Sequence, residues 1–295
     1  MGVMELPLVV GVDGSDASLA AVDWAVDEAA RLGLPLRLVY ASLWQRYEGA
    51  LPSGGLERPS EQVMADSVVG TAAERAHRRN PEVKVVSTEV ILAEASEALL
   101  REGHNAYALV TGSRGRGELT GLLLGSVSLA VAARAHCPVI VVRGDRAGLA
   151  GTHERLLLGA GDSTSAGEAV RFAFREAEAR GCTLDAVRAW RCPAHESADH
   201  PRSAEDQAHD HEQLASALLD AVLHDASADH SGVRLRRTTV EGPARKVLLD
   251  RSAAADLVIV GARRRSGHFG LQLGRVGHTL LHHAQCPVAV VPQRV

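Results

Sequence analysis

The stretch Val110-Thr-Gly-Ser-Arg-Gly-Arg-Gly-Glu-Leu-Thr-Gly-Leu-Leu-Leu-Gly-Ser-Val-Ser128 decides the reading of this chain, because a damaged copy returns as Ile259-Val-Gly-Ala-Arg-Arg-Arg-Ser-Gly-His-Phe-Gly-Leu-Gln-Leu-Gly-Arg-Val-Gly277. Gly112 aligns with Gly261, 149 residues on. Both copies run through a helical stretch into Cys-Pro and a valine-rich segment, Cys137-Pro138-Val-Ile-Val-Val and Cys286-Pro287-Val-Ala-Val-Val. Self-similarity at a fixed period marks a repeat architecture, and here the repeat is a whole domain. The first copy holds Gly112, Gly115, Gly125 and Ser126 as G-x2-G-x9-G-S; the second has lost part of that array.

Outward from the glycine loop, each half alternates strand and helix. Pro7–Val12 is a short apolar run of the kind buried parallel strands require. Ser15–Leu32 places Leu19, Val22, Val26 and Ala29 at helical spacing, with Ser15 to cap it and Gly33 to end it. Strands are predicted at Pro35–Ala41, Val83–Ile91, Tyr107–Gly112 and Val139–Arg143, and helices at Ser60–Arg79, Ala95–Gly103 and Ser126–Ala135, with a loop over Ser42–Pro59. The second half repeats the order, with strands near 154–160, 183–189, 232–240, 256–261 and 287–292 and helices near 163–180, 206–227, 243–251 and 275–284. Domains of residues 1–144 and 152–295 follow, with Gly144–Thr152 as a linker. Strand–helix alternation forces right-handed crossovers and a parallel sheet covered on both faces, so the expected fold class is α/β, two doubly wound domains.

Composition bounds the function. Hydrophobic residues make up 46% of the 295 and aromatics only 3%, so two cores must be built from aliphatic side chains. A net charge of −4 argues against a nucleic-acid surface. Lys84 and Lys246 are the only lysines, so no lysine stands near either glycine loop. The four cysteines include no Cys-x2-Cys pair, and Cys137 and Cys286 at matching repeat positions read as small core hydrophobes. No charge-free stretch is long enough to cross a bilayer and no basic leader is evident, so a cytoplasmic protein without membrane partners is expected.

Backbone amides bind phosphate where they converge and no Cβ blocks approach, and a helix N-terminus adds free N–H groups and a favourable dipole. Gly125-Ser126-Val127-Ser128 is such a terminus, and Gly112, Gly115, Gly117 and Gly121 let the preceding loop fold over a ligand. The motif is no Walker loop, since no Gly-Lys-Ser/Thr follows. It is no dinucleotide fingerprint either, since Gly115-Arg-Gly117 is followed by one residue too many and comes after the fourth strand. Arg114 and Arg116 flank the loop glycines, where they read either as neutralising phosphate or as plain solvated side chains.

On these residues the chain resembles a tandem universal stress protein, along almost the whole of both halves. The family's ATP signature, G-x2-G-x9-G-(S/T), is met by Gly112, Gly115, Gly125 and Ser126. Val9-Val-Gly-Val-Asp-Gly-Ser15 resembles the family's first strand. The resemblance implies the adenine-nucleotide alpha-hydrolase-like fold with strand order 3-2-1-4-5. It also implies a nucleotide site at Val12, Asp13, Ala41, Gly112, Ser113, Arg114, Gly115, Gly125, Ser126, Val127 and Ser128, with Asp13 beside the adenosine and the Ala41 backbone at adenine. ATP is the implied ligand, with Mg2+ as an optional companion; an unidentified protein partner and a homodimer are the implied associations.

The second half departs from the pattern. Asp13 aligns with Gly161, Gly115 with Arg264, Ser126 with Arg275 and Ser128 with Gly277. Arg263, Arg264, Arg265 and Arg275 either fill a vacated site or form an electropositive pocket for another anion, and the missing aspartate favours the first. His209-Asp-His211 lies among polar residues and reads as solvated rather than metal-binding; His282 and His283 suit the end of the last helix. No Gly-x-Ser-x-Gly elbow appears. The implied function is a non-enzymatic, ATP-binding regulatory protein of the stress response with one occupied site per chain. The alternatives are a slow ATPase or phosphotransfer enzyme, and a nucleotide-free structural or interaction module.

Overall fold

A computed structural model of the chain describes residues 5–42, 61–115, 124–161, 167–192, 204–263 and 273–293. The chain divides into two compact units, residues 1–143 and 144–295. The expected Ser42–Pro59 loop beyond Ser42, and Arg116, Gly117, Gly121, Arg264 and Arg265, lie outside the described residues.

In the first unit the elements are β1 (Leu8–Gly11), α1 (Asp16–Leu32), β2 (Leu36–Ala41), α2 (Glu61–Arg79), β3 (Val85–Ile91), α3 (Ala95–Glu102), β4 (Ala108–Gly112), α4 (Ser126–Arg134) and β5 (Val139–Val142). All five strands are parallel, in the order β3-β2-β1-β4-β5. Leu8, Val9, Val10, Ala108, Leu109 and Val110 are fully inaccessible, as central strands covered on both faces must be. Ser15 caps α1, its Oγ accepting from the Ser18 N–H at 3.2 Å, and Gly33 closes the helix in the left-handed region at φ 67°. Two bidentate pairs one helical turn apart tie α1 to α2: Arg75 to Asp23 at 2.8 and 2.6 Å, and Arg79 to Asp27 at 2.9 and 2.7 Å.

The second unit opens with α5 (Arg146–Ala150), then β6 (Arg155–Gly159), α6 (Gly167–Arg180), β7 (Thr183–Trp190), α7 (Ala204–Asp229), β8 (Arg234–Glu241), α8 (Ala244–Arg251), β9 (Leu257–Arg263), α9 (Arg275–His283) and β10 (Val288–Gln293). Its strands are again all parallel, ordered β8-β7-β6-β9-β10, the same winding as the first unit. The stretch read as a linker contains the helix α5. Asp145 caps it by accepting from the Gly148 N–H at 2.8 Å, and Gly151 ends it at φ 67°. Five residues are too few to show helical periodicity, and Asp145 N–H also donates to the Gln285 carbonyl, a contact no local pattern announces.

One internal comparison shows what the duplication conserves. In the first unit Arg37 on β2 pairs with Glu102 at the end of α3, at 2.8 Å. At the aligned positions of the second unit Asp185 on β7 pairs with Arg251 at the end of α8, at 3.1 Å. The charges are exchanged and the bridge is kept, so what the two domains share here is complementary charge between this strand and this helix rather than a particular residue at either place.

Candidate nucleotide-binding site

β1 lies between β2 and β4, and the crossovers that leave β1 and β4 part at this point in the strand order, where open α/β sheets form a crevice. A cavity of about 430 Å³ occupies it. Val12 and Asp13 follow β1 into its wall, and Ala41 ends β2 there. Gly112, Arg114 and Gly115 bring the loop after β4, and Gly125, Ser126, Val127 and Ser128 bring the first turn of α4. Of the expected site residues, Ser113 alone does not line it.

Asp13 is held by its own turn. Its Oδ1 accepts from the Ser15 N–H at 3.0 Å and from the Ser15 hydroxyl at 2.6 Å, the pattern of an Asx turn leading into a helix. Oδ2 faces the glycine loop: a Cβ added at Gly115 would stand 2.7 Å from it. The second half's arginine at this position therefore could not be copied into the first without moving the carboxylate.

Two bonds close the loop on itself. The Gly125 N–H donates to the Ser113 carbonyl at 2.8 Å, and the Ser128 hydroxyl, buried, donates to the Gly112 carbonyl at 2.7 Å. The Ser113 N–H donates to Val142 on β5 at 3.1 Å. Ser113 is thus an anchor for both ends of the loop, which is why it stands outside the cavity. Ser128 lines the cavity, but its hydroxyl proton is engaged by Gly112; what it can offer a ligand is its backbone N–H. The N–H groups of the first turn of α4, at Ser126, Val127 and Ser128, have no intrahelical partner, and the N-cap Gly125 has no side chain to satisfy them.

The glycines of the array have different causes. A Cβ at Gly112 would meet the Ala17 backbone at 2.6 Å, so this glycine is demanded by the close approach of α1 to the end of β4. Gly125 is the opposite case. Its φ of −70° and ψ of 147° suit any residue, and a Cβ there would meet nothing nearer than 3.7 Å. No packing among the described residues requires Gly125 to be glycine; the missing side chain leaves a methyl-sized slot between the loop backbone at 113–115 and the start of α4.

The cavity has walls the sequence did not single out: Gly11, Ser18, Val39, Ala95, Leu99, Thr111 and Leu124. Ala95 and Leu99 stand one turn apart on α3, a spacing visible in the sequence, but their facing β1 depends on the crossover geometry. A Cβ at Gly11 would press on Leu99 at 2.8 Å, which explains the small residue at the end of β1.

Among the described residues no group of three or more His, Cys, Asp or Glu side chains is placed to hold a metal ion. His209 and His211 are both on α7, two residues apart and so on different faces, with His209 against Gln213 at 2.8 Å. Cys137 and Cys286 are buried, and burial pushes the Cys137 thiol up to about 11. No helix among the described residues is long and apolar enough to cross a membrane.

In the second unit Gly161 replaces Asp13, and the Gly161 carbonyl accepts from the Arg188 guanidinium at 2.8 Å. Among the described residues no bond joins Gly274 to Ala262 as Gly125 is joined to Ser113, and Gly277 has no hydroxyl to repeat the Ser128 clasp.

The model of the Universal stress protein family matches this chain twice, over residues 6–143 and 152–292. A universal stress protein of Mycobacterium tuberculosis is 30% identical over 300 residues, covering 98% of this chain and 97% of its own. A second one from the same species is 33% identical over 306 residues, covering 97% of each. Among solved structures, a universal stress protein from Archaeoglobus fulgidus superimposes with a TM-score of 0.66 at 17% identity, covering 98% of this chain and 99% of that one, a likeness of fold. The chain belongs to the universal stress protein family and carries its domain twice in tandem.

Proposed function

We propose that this protein is an ATP-binding regulator of the stress response, holding one nucleotide in its first domain. The observation that carries the reading is the slot at Gly125: a cavity at the switch point whose glycine has no packing cause among the described residues and lies beside helix N–H groups with no intrahelical partner. That is an anion seat in which close approach of backbone is the requirement. The triphosphate would lie against the first turn of α4 and Gly115, with Arg114 neutralising charge. Asp13 would receive the ribose hydroxyls and Ala41 the adenine. Mg2+ arriving with the nucleotide would find oxygen donors in Ser126 and Asp13.

Regulation rather than turnover fits this lining. Asp13 is the carboxylate among the described lining residues, and its Oδ1 is already engaged by Ser15, so hydrolysis would be slow at most. Bound ATP would alter a surface beside the glycine loop that is offered to a protein partner in a cytoplasmic homodimer. The test is chromatography of nucleotide released from the denatured purified chain, followed by calorimetry. One ATP per chain, bound in preference to GTP, is expected. A chain that carries no nucleotide and takes none up contradicts the proposal, and two ATP per chain contradicts its confinement to the first domain.

A further inference from the structure

We infer that the second unit carries an anion site of its own, built on arginine side chains and suited to a small phosphate-bearing ligand rather than to an adenine nucleotide. A cavity of about 410 Å³ lies where the end of β7, the start of α8 and the start of α9 meet. Arg191, Arg245 and Arg275 line it, one from each of these three places, together with Trp190 and Pro243. No aspartate or glutamate is among its described lining residues. The three arginines are exposed and make no ion pair among the described residues. Elsewhere in the same unit Arg171, Arg180, Arg237 and Arg251 each have a carboxylate partner. In a chain with 36 acidic and 32 Lys and Arg residues, partners are not scarce. Three like charges converging on one cavity repel each other unless an anion sits between them.

Two independent features point the same way. No side chain caps α9, so the N–H groups of its first turn add their donors beside Arg275. Trp190 stands in the same wall and offers an aromatic side chain to a ligand there. Guanidinium groups grip phosphate oxygens in pairs, and an indole face gives the remainder of the ligand an apolar or stacking surface. The carboxylate of the first-unit site is missing here, since Gly161 replaces Asp13. Of the two roles open to the second-half arginines, Arg275 thus takes that of an anion ligand, joined by Arg191 and Arg245, which no alignment of the two halves suggests.

The inference does not rest on ATP binding in the first domain. Its test is titration calorimetry of the full chain at low ionic strength with inorganic pyrophosphate as the probe. A Gly125→Glu background sets a carboxylate in the first-unit slot so that heat from that side is removed. One pyrophosphate per chain is expected, weakened about tenfold or more by Arg245→Gln and by Arg275→Ser, as loss of a charge-assisted hydrogen bond implies. Both substitutions are at exposed positions, and unchanged unfolding midpoints check that the fold survives. Absence of binding, or binding indifferent to both substitutions, overturns the inference. So does ATP binding more tightly than pyrophosphate with the same arginine dependence, which makes this a second nucleotide site.

Discussion

Replacing Gly125 by alanine separates folding from binding. At φ −70° and ψ 147° an alanine is unstrained, and its Cβ would have 3.7 Å to the nearest described atom. Restricting the unfolded chain stabilises by about 0.4–1 kcal/mol. Glycine's advantage over alanine at a helix N-cap opposes this by about the same amount. The two nearly cancel, so the ligand-free unfolding midpoint should stay within about 4 °C of the parent, at roughly 2–4 °C per kcal/mol for a domain of this size. The bound state has no such balance. The added methyl group stands in the slot between the 113–115 backbone and the first turn of α4, where it separates a phosphate from the N–H groups of Ser126 and Val127. Losing one charge-assisted hydrogen bond costs about 1.5–3 kcal/mol, or roughly tenfold to a hundredfold in affinity. Calorimetry with ATP and thermal denaturation without it, on the same preparation, read both quantities. An unchanged ATP affinity with an unchanged midpoint refutes the reasoning that the slot seats phosphate. A midpoint that falls well beyond this range makes Gly125 part of the fold.

Other perturbations address the remaining contacts. Gly115→Arg copies the second half and sets a Cβ 2.7 Å from Asp13 Oδ2, so ATP binding measured by calorimetry should be abolished; retained affinity removes this loop from the site. Asp13→Asn keeps an acceptor for Ser15 and removes the charge, so affinity should fall about tenfold to a hundredfold without a change in midpoint. A collapsed midpoint would make Asp13 structural. Arg37→Glu should destabilise the first unit and Glu102→Arg in the same chain should restore it, with a coupling of about 1–3 kcal/mol in a denaturation cycle; strict additivity contradicts the exchanged-charge reading. Glu94 caps α3. Burial raises its pKa, but hydrogen bonds from the Ser96 hydroxyl and the Ser96 and Glu97 amides, with the Arg134 charge, outweigh burial and hold the carboxyl below its ordinary value. Its contribution is present above the ordinary glutamate value and lost as pH falls through the depressed one. Stability followed into acid should therefore fall less steeply in Glu94→Gln, and identical slopes would exclude this linkage.

The sequence by itself determined the duplication, the alternation of strand and helix, the Ser15 cap, the Gly33 stop and the glycine array. Each of these is written in local periodicity or in the stereochemistry of single residues, and so survives without knowledge of neighbours in space. It also indicated that Asp13 and the glycine loop belong together, because family resemblance carried the strand order that the residues alone do not. Only the tertiary structure separated glycines that look alike: Gly112 answers to the Ala17 backbone, whereas a Cβ at Gly125 would meet no described atom closer than ordinary contact. It turned Ser113 into an anchor and engaged the Ser128 hydroxyl with Gly112, because both bonds join the end of β4 to the start of α4 across the loop between them. It exchanged the charges of one conserved bridge and gathered Arg191, Arg245 and Arg275 around one cavity. These features depend on which element ends lie side by side, and that is fixed by strand order and crossover, not by any spacing along the chain.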